Sequence, residues 1–276
     1  MFGVSRQVYR RIRSRQKLED KVAEVTSLVQ QIRLRMPRLG TRKLHYLLHD
    51  ELKELHIGRD RLFRILSANH LLISPKRSYH VTTNSHHRFR KHKNKVETMA
   101  IVRPEQVWVA DITYLGNRDQ PCYLALVTDA YSKMIVGYSV SEHLDTANCT
   151  AALMMAAKKR IYKAASLIHH SDRGIQYCSN EYQDALSGQG IDCSMTESYD
   201  PYQNAVAERV NGILKQEFMI DCCNEPVQVI RQIVKEAIHI YNYERPHFSC
   251  HLKTPAQMHQ QHTLPMKTYK RIRQPT

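Results

Sequence analysis

At Pro104 the periodicity of this chain changes. Before it, apolar residues recur every three or four positions. After it come three short segments rich in β-branched and aromatic residues: Gln106 to Leu115, Cys122 to Asp129 and Met134 to Val140. Their length and their tight connections, such as Gly116-Asn117-Arg118-Asp119-Gln120, predict three strands in an antiparallel meander. Helix and strand patterns then alternate: helix Thr146 to Lys163, strand Ser166 to His170, helix Asn180 to Gln189, strand Ile191 to Met195. Two helices close the series, Asn204 to Phe218 and Val227 to Tyr243. Three strands followed by alternating helix and strand describe a mixed α/β sheet flanked by helices.

The first hundred residues read differently. Ser5 is suited to cap a short basic helix ending near Arg15, either a DNA-contacting arm or a solvated start. Leu18 to Met36 carries a helical stripe (Val22, Val25, Leu28, Val29, Ile32) and stops at Pro37. Thr41 is placed to cap a helix bearing Leu44, Leu47 and Leu48. After His56-Ile57-Gly58 comes Arg59 to Asn69, with Leu62, Phe63, Ile65 and Leu66 inward. Helix, glycine-containing connection and basic helix make the pattern of a helix-turn-helix unit. Its exposed-side cations, Arg42, Lys43, Arg59, Arg61 and Arg64, are candidates to hold phosphates or read bases.

Charge divides along the same line. The chain of 276 residues has a formal net charge of +15, which points toward nucleic acid. Residues 1–103 hold 24 Lys and Arg against 8 Asp and Glu, whereas residues 104–245 hold 12 against 18. A basic module therefore precedes an acidic one. The predicted organisation is a helical DNA-binding region over 1–77, a basic linker over 78–103, a mixed α/β core over 104–260 and a flexible basic tail over 261–276. The cluster Arg88 to Lys95 in that linker suits a DNA backbone, or serves only as a solubilising tether. Seven irregularly spaced cysteines argue for a reducing compartment, and no Cys-x₂-Cys is available for a structural zinc site. The longest apolar run, Ala151 to Ala157, is too short to span a bilayer.

Three acids stand out against this background. Asp111 sits mid-strand, where aspartate is disfavoured and costly if buried alone. Asp172 falls just past the end of the Ser166 to His170 strand. Glu208 lies on a helix whose apolar side is Val206, Val210, Ile213, Leu214 and Phe218. Its other side presents Asn204, Glu208, Asn211 and Lys215 at steps of four, three and four, which is one face. Asp129 is a rival acid, but Asp129-Ala130-Tyr131-Ser132 reads as a strand exit and turn, a structural role. Converging carboxylates repel one another, and a hard divalent cation removes that cost. Two Mg²⁺ or Mn²⁺ ions can activate an attacking oxygen and stabilise a leaving one in phosphoryl displacement.

The contexts of these acids, Asp111-Ile112-Thr113-Tyr114, His170-Ser171-Asp172-Arg173-Gly174-Ile175-Gln176-Tyr177 and Asn204-Ala205-Val206-Ala207-Glu208, resemble the DDE transposase and retroviral integrase superfamily. More narrowly they resemble insertion-sequence transposases of family three, second-frame product (OrfB), in which a basic residue follows the Glu by seven. Lys215 occupies that place. Gly40 to Leu72 and the closing segments Tyr241 to His247 and Leu252 to Gln257 are similar to other parts of that family. The resemblance implies a ribonuclease-H-like integrase core after a small all-α helix-turn-helix domain. It implies a metal-dependent enzyme with Asp111, Asp172 and Glu208 as catalytic ligands of Mg²⁺ or Mn²⁺. The reaction it implies is cleavage at insertion-element ends, then strand transfer by the 3′ hydroxyl. Lys215, Asn204, His170, Gln176 and Tyr177 are expected around the DNA, under a closing loop Tyr199 to Gln203. Implied partners are terminal-repeat and target DNA, a homodimer or larger assembly, and a first-frame product as a frameshift fusion. The implied location is bacterial, cytoplasmic and nucleoid-associated. Two other classes stay open: an inactive DNA-binding relic or regulator, and a ribonuclease-H-like nuclease that cuts without joining.

Overall fold

The computed structural model describes residues 5–74, 92–97, 99–116, 121–196, 204–222 and 225–266. The Arg88 to Lys91 part of the basic cluster, the Tyr199 to Gln203 loop and the basic residues from Lys267 onward lie outside the described residues. The chain divides into two compact units, Met1–Lys76 and Arg77–Thr276.

The first unit is all helical. A single helix α1 runs Arg6–Arg35, capped by Ser5, whose hydroxyl accepts from the Val8 N–H. The sequence pattern predicts two helices here. Nothing between Arg15 and Leu18 breaks the ladder, since the chain lacks Gly or Pro there, so the two segments fuse. Val25 and Val29 are buried, whereas residues 5–20 are exposed throughout. Helices α2 (Thr41–Leu47), α3 (His49–Glu54) and α4 (Arg59–Ala68) complete the unit around Leu44, Leu52, Leu62 and Leu66. Gly40, not Thr41, holds the N-cap position of α2. Arg33 fastens the ends together, donating to the carbonyls of Leu71 and Leu39.

The second unit is a five-stranded sheet in the order β3-β2-β1-β4-β5. Strands β1 (Val107–Gly116), β2 (Pro121–Asp129) and β3 (Ile135–Ser141) pair antiparallel, as the short connections require. Strands β4 (Ile168–Ser171) and β5 (Asp192–Met195) join parallel to β1 and to each other, each reached through a helical crossover. Strand alternation sends Trp108, Ala110 and Ile112 to one face. There they bury against Cys149, Leu153 and Ala156 of helix α5 (Thr146–Lys158), joined by α6 (Ile175–Cys178) and α7 (Asn180–Gly188). The opposite face is covered by α8 (Ala205–Glu217) and α9 (Val227–Tyr243) through Leu115, Leu124, Val210, Leu214 and Val234. Among the described residues no helix is long and apolar enough to cross a membrane.

Both ends of this unit are fastened by polar side chains. Asn242 of α9 brackets Ile135 of β3 with two hydrogen bonds, 2.9 and 3.0 Å, and Tyr241 Oη donates to the Lys133 carbonyl at 2.9 Å. Buried Arg245 forms a bidentate pair with Glu217 at 2.8 Å, so the closing segment docks α9 on the core. Asp129 has the structural role expected of it. Its carboxylate accepts from the N–H groups of Glu105 and Ser132 and from the Ser132 hydroxyl. His259 of α10 (Pro255–His259) closes this cluster, with Nδ1 2.9 Å from Ser132 Oγ and Nε2 3.6 Å from Glu105. Part of the stretch read as linker also packs on the core. The Lys95 N–H donates to Ser194 Oγ, and Val96, Met99 and Ile101 lie against Val107 and Val109.

Candidate active site

The register of the sheet brings two acids together. In the parallel β1–β4 pair Val109 lies opposite His170. Two residues further on, with the same side-chain parity, come Asp111 on β1 and Asp172 just past β4. Parallel strands run about 4.8 Å apart, so the two carboxylates share one field. Burial and then the Asp172 charge raise the Asp111 carboxyl to a pKa of about 7, against hydrogen bonds from Asn211 and Ile112 that favour its charged form. Glu208 adds a smaller push in the same direction, and burial raises its own carboxyl. Glu208 is exposed. Among the described residues, no three His, Cys, Asp or Glu side chains are grouped so that they could hold a metal ion.

Helix α8 is bolted to β1 at two points, seven residues apart. Buried Asn204, at its N-cap, donates from Nδ2 to the Ala110 carbonyl at 3.1 Å. Two turns later Asn211 Nδ2 donates to Asp111 Oδ2 at 2.8 Å, while the Ile112 N–H donates to Oδ1 at 2.9 Å. Between these bolts, Ala207 packs against Val107 and Val109, leaving Glu208 directed outward. Of the helical face expected from the sequence, Asn204 and Asn211 meet β1, while Glu208 stands exposed. Lys215, one turn beyond Asn211, has its pKa lowered by burial, while Asp221 and Asp111 oppose that shift.

Asp172 is shaped by a local turn. Its Oδ1 accepts from the Gly174 N–H at 3.0 Å. A Cβ at Gly174 would stand 3.0 Å from that same oxygen, so a larger residue would crowd the carboxylate.

Three residues expected around the DNA are buried. His170 shares the face of Asp172, as its spacing suggests, but it is 1% exposed and its Nδ1 is 2.9 Å from Ser194 Oγ. Tyr177 is buried between His169 and Tyr182, and Gln176 donates to the Leu144 carbonyl from the short helix α6. In each case the parallel β4–β5 edge and its helices bury what a sequence reading leaves open. Asn204 is buried as well and serves as a bolt. In the helical unit Arg42, Arg59, Arg61 and Arg64 are exposed, but Lys43 is 6% exposed and turns inward, so it does not present itself to a phosphate. Asn211 is legible in the sequence as a member of the helical face, but its contact with Asp111 is not. Gly174 carries no signal beyond its place beside Asp172.

Known proteins resemble this chain over most of its length. Two models described as "Integrase core domain" match residues 102–201 and 189–255. An insertion element IS600 31 kDa protein of Shigella sonnei is 35% identical over 258 residues, covering 90% of this chain and 92% of that one. A transposase for insertion element IS904 of Lactococcus lactis is 33% identical over 153 residues, 55% of this chain and 60% of that one. Among solved structures, the simian T-cell lymphotropic virus intasome complex is 20% identical, with a TM-score of 0.51 over 86% of this chain and 81% of that one.

Proposed function

This chain belongs to the integrase-core superfamily of DDE transposases and retroviral integrases, and on that premise we propose that it is a DNA transposase. It cuts at the ends of its insertion element and joins the freed 3′ hydroxyl to target DNA. The observation that carries this reading is the placement of Asp111 and Asp172 at the same parity on adjacent parallel strands, with the Asp111 carboxyl raised to a pKa of about 7 by burial first and by the Asp172 charge second. Paired carboxylates on adjacent strands are hard oxygen donors suited to Mg²⁺ or Mn²⁺. Asp111 and Asp172 would hold such ions, two of them in this reading, with Glu208 as third ligand. The chemistry they supply when bound is charge stabilisation at the scissile phosphate and activation of the attacking oxygen.

The chain's own residues do the positioning. Asn211 fixes the rotation of the Asp111 carboxylate through Oδ2. The Asn204 and Asn211 bolts set how far Glu208 lies along β1. Lys215 places a cation within the field of Asp111, suited to a DNA phosphate near the reacting one. Exposed Arg42, Arg59, Arg61 and Arg64 supply binding in the helical unit. Joining two element ends calls for at least two protomers, and a first-frame product fused by frameshifting is a further partner in this reading.

The test compares wild type with Glu208→Gln on DNA carrying the element's own ends, with Mg²⁺, Mn²⁺ or chelator, and with or without the first-frame product. Metal-dependent nicked and joined products from wild type alone support the proposal. Cutting without joining favours a nuclease, and DNA binding with no reaction under any condition favours a regulator.

A further inference from the structure

The first half of α1 has no work in the fold. Residues 5–20 are exposed throughout, including Tyr9, Ile12 and Leu18, while the tertiary contacts of this helix begin at Lys21, which donates to the Leu55 carbonyl, and its buried residues are Val25 and Val29. At about 1.5 Å per residue the exposed part projects over 20 Å from the residues that anchor it. Helices owe most of their stability to packing of one face, and this segment has none.

Its charge makes the segment still less self-sufficient. Six cations, Arg6, Arg10, Arg11, Arg13, Arg15 and Lys17, precede the first acid at Glu19. Arg6, Arg10, Arg13 and Lys17 follow steps of four, three and four and so form one stripe. Like charges at these spacings oppose the helix. Arg15 is offset by Glu19 at 2.9 Å, but among the described residues no side chain pairs with the four cations of the stripe. Such a stripe calls for an external polyanion.

We propose that this stripe is a second nucleic-acid contact, lying along the sugar–phosphate backbone of duplex DNA outside the sequence read by the helix-turn-helix unit. The match is one of length and charge. The stripe spans about 16 Å of helix axis, a length over which a duplex carries on the order of ten phosphates. Regular cations on a helix give phosphate contact without base readout, so binding here is independent of sequence. Anion contact relieves the repulsion among the arginines and so strengthens the helix as it binds. The proposal rests on DNA being what this chain acts on.

The test uses the full chain and a short duplex lacking element ends. Binding is measured across salt concentrations for wild type, for the quadruple variant Arg6→Gln, Arg10→Gln, Arg13→Gln, Lys17→Gln, and for a control. That control removes four exposed cations of the other unit, Lys158→Gln, Lys159→Gln, Lys163→Gln and Lys235→Gln. Glutamine retains helix propensity, and far-UV circular dichroism checks that each variant folds. The expected result is a fall of about 3 to 4 in the slope of log Kobs against log salt for the stripe variant. The control is expected to change far less, and the helical signal of wild type is expected to rise on DNA binding. Equal slopes for wild type and stripe variant overturn the proposal and leave an acidic protein surface as occupant. This is a binding equilibrium, so it fails independently of the Glu208→Gln chemistry. If wild type binds no such duplex, the stripe proposal falls while the reading of Glu208 on element ends is decided by its own assay.

Discussion

Replacing Asp111 by asparagine removes a charge from a carboxyl whose pKa burial and the Asp172 charge raise, and the consequence for stability has a defined sign. In the metal-free protein the Asp111 carboxyl has a pKa of about 7, against 3.8 for the ordinary group. The folded state therefore binds this proton more tightly than the unfolded state does. The contribution is harmless below pH 3.8 and becomes destabilising as pH rises toward 7, with a limiting slope of about 1.4 kcal/mol per pH unit. Integrated, the penalty is at most about 4 kcal/mol; half of that, about 2 kcal/mol, allows for the partial exposure of Asp111. The asparagine variant would lack the titration but would also forfeit one of two accepted hydrogen bonds, about 1 kcal/mol at every pH. The pH dependence of the difference is therefore what tests the reasoning. Thermal unfolding in chelator should show Asp111→Asn gaining on wild type by about 2 kcal/mol between acid and mildly alkaline solution. For a unit of this size that is about 4–8 °C in Tm. Saturating Mg²⁺ should raise the wild-type Tm in alkali, do so less in acid where protons compete, and leave the variant nearly unmoved. A difference between variant and wild type that stays flat with pH would refute the shared-field account of this site.

The other expectations are briefer. Asn211→Ala frees Asp111 Oδ2 and should weaken Mn²⁺ binding by about 10–100-fold in calorimetric titration, as loss of a ligand's orienting partner does elsewhere; unchanged affinity would show that the bolt is idle. His259 is held protonated: burial pushes its pKa down, but Asp129 and Glu105 outweigh that and raise it to about 9. Its contribution to stability is complete below about pH 6.5 and is lost as pH rises through about 9. His259→Leu should cost about 3 kcal/mol in denaturant unfolding near neutrality and less above about pH 9, because it leaves two buried carboxylates uncompensated; equal costs at both pH values would remove the charge argument. Gly137→Ala places a Cβ against the Ala152 carbonyl oxygen and 2.9 Å from the Ala156 nitrogen, both backbone atoms of α5. A loss of about 2 kcal/mol or more is expected from the forced shift of that helix, and an unchanged midpoint would show that α5 can yield.

What the sequence makes legible is whatever local periodicity decides. Val227–Tyr243 is bounded to the residue because Pro226 opens it and an amphipathic stripe runs its whole length. Thr146–Lys158 ends earlier than the pattern predicts, since past Lys158 the chain turns so that the Ile161 and Tyr162 N–H groups can reach the Glu105 carboxylate. The acids stand out because aspartate mid-strand is costly enough to demand a reason. The surroundings of His170 and Tyr177 are hidden for the opposite reason. Whether a polar residue at the end of a short strand meets solvent or Ser194 depends on which strand pairs beyond it, and periodicity carries no such information. Lys43 shows the same limit on a helix, where a basic residue beside a leucine stripe is read as solvated until its neighbours are placed.

The position of the acid pair follows from the topology. β1 is the strand at which the sheet changes character, antiparallel to β2 on one side and parallel to β4 on the other. On the antiparallel side Asp111 faces Leu126 across the ladder, which offers it nothing. On the parallel side β4 stops at Ser171, four residues long, while β1 continues to Gly116. Past that stop the edge of β1 has no ladder partner from β4, and Asp172 leaves the strand beside Asp111 with its own carboxylate turned by Gly174. A longer β4 would have carried Asp172 into a buried ladder, where a second carboxylate has no access to solvent, ion or substrate. A shorter one would have separated the pair. The four-residue strand therefore fixes the spacing of the acids, and the asparagines of α8 fix the approach of the third. Gly174→Val, whose side chain would crowd Asp172 Oδ1, should for this reason weaken divalent-ion binding in calorimetric titration while leaving the Asp129–His259 cluster and its alkaline stability limit unchanged; unchanged ion affinity would show that the turn does not set the Asp172 carboxylate.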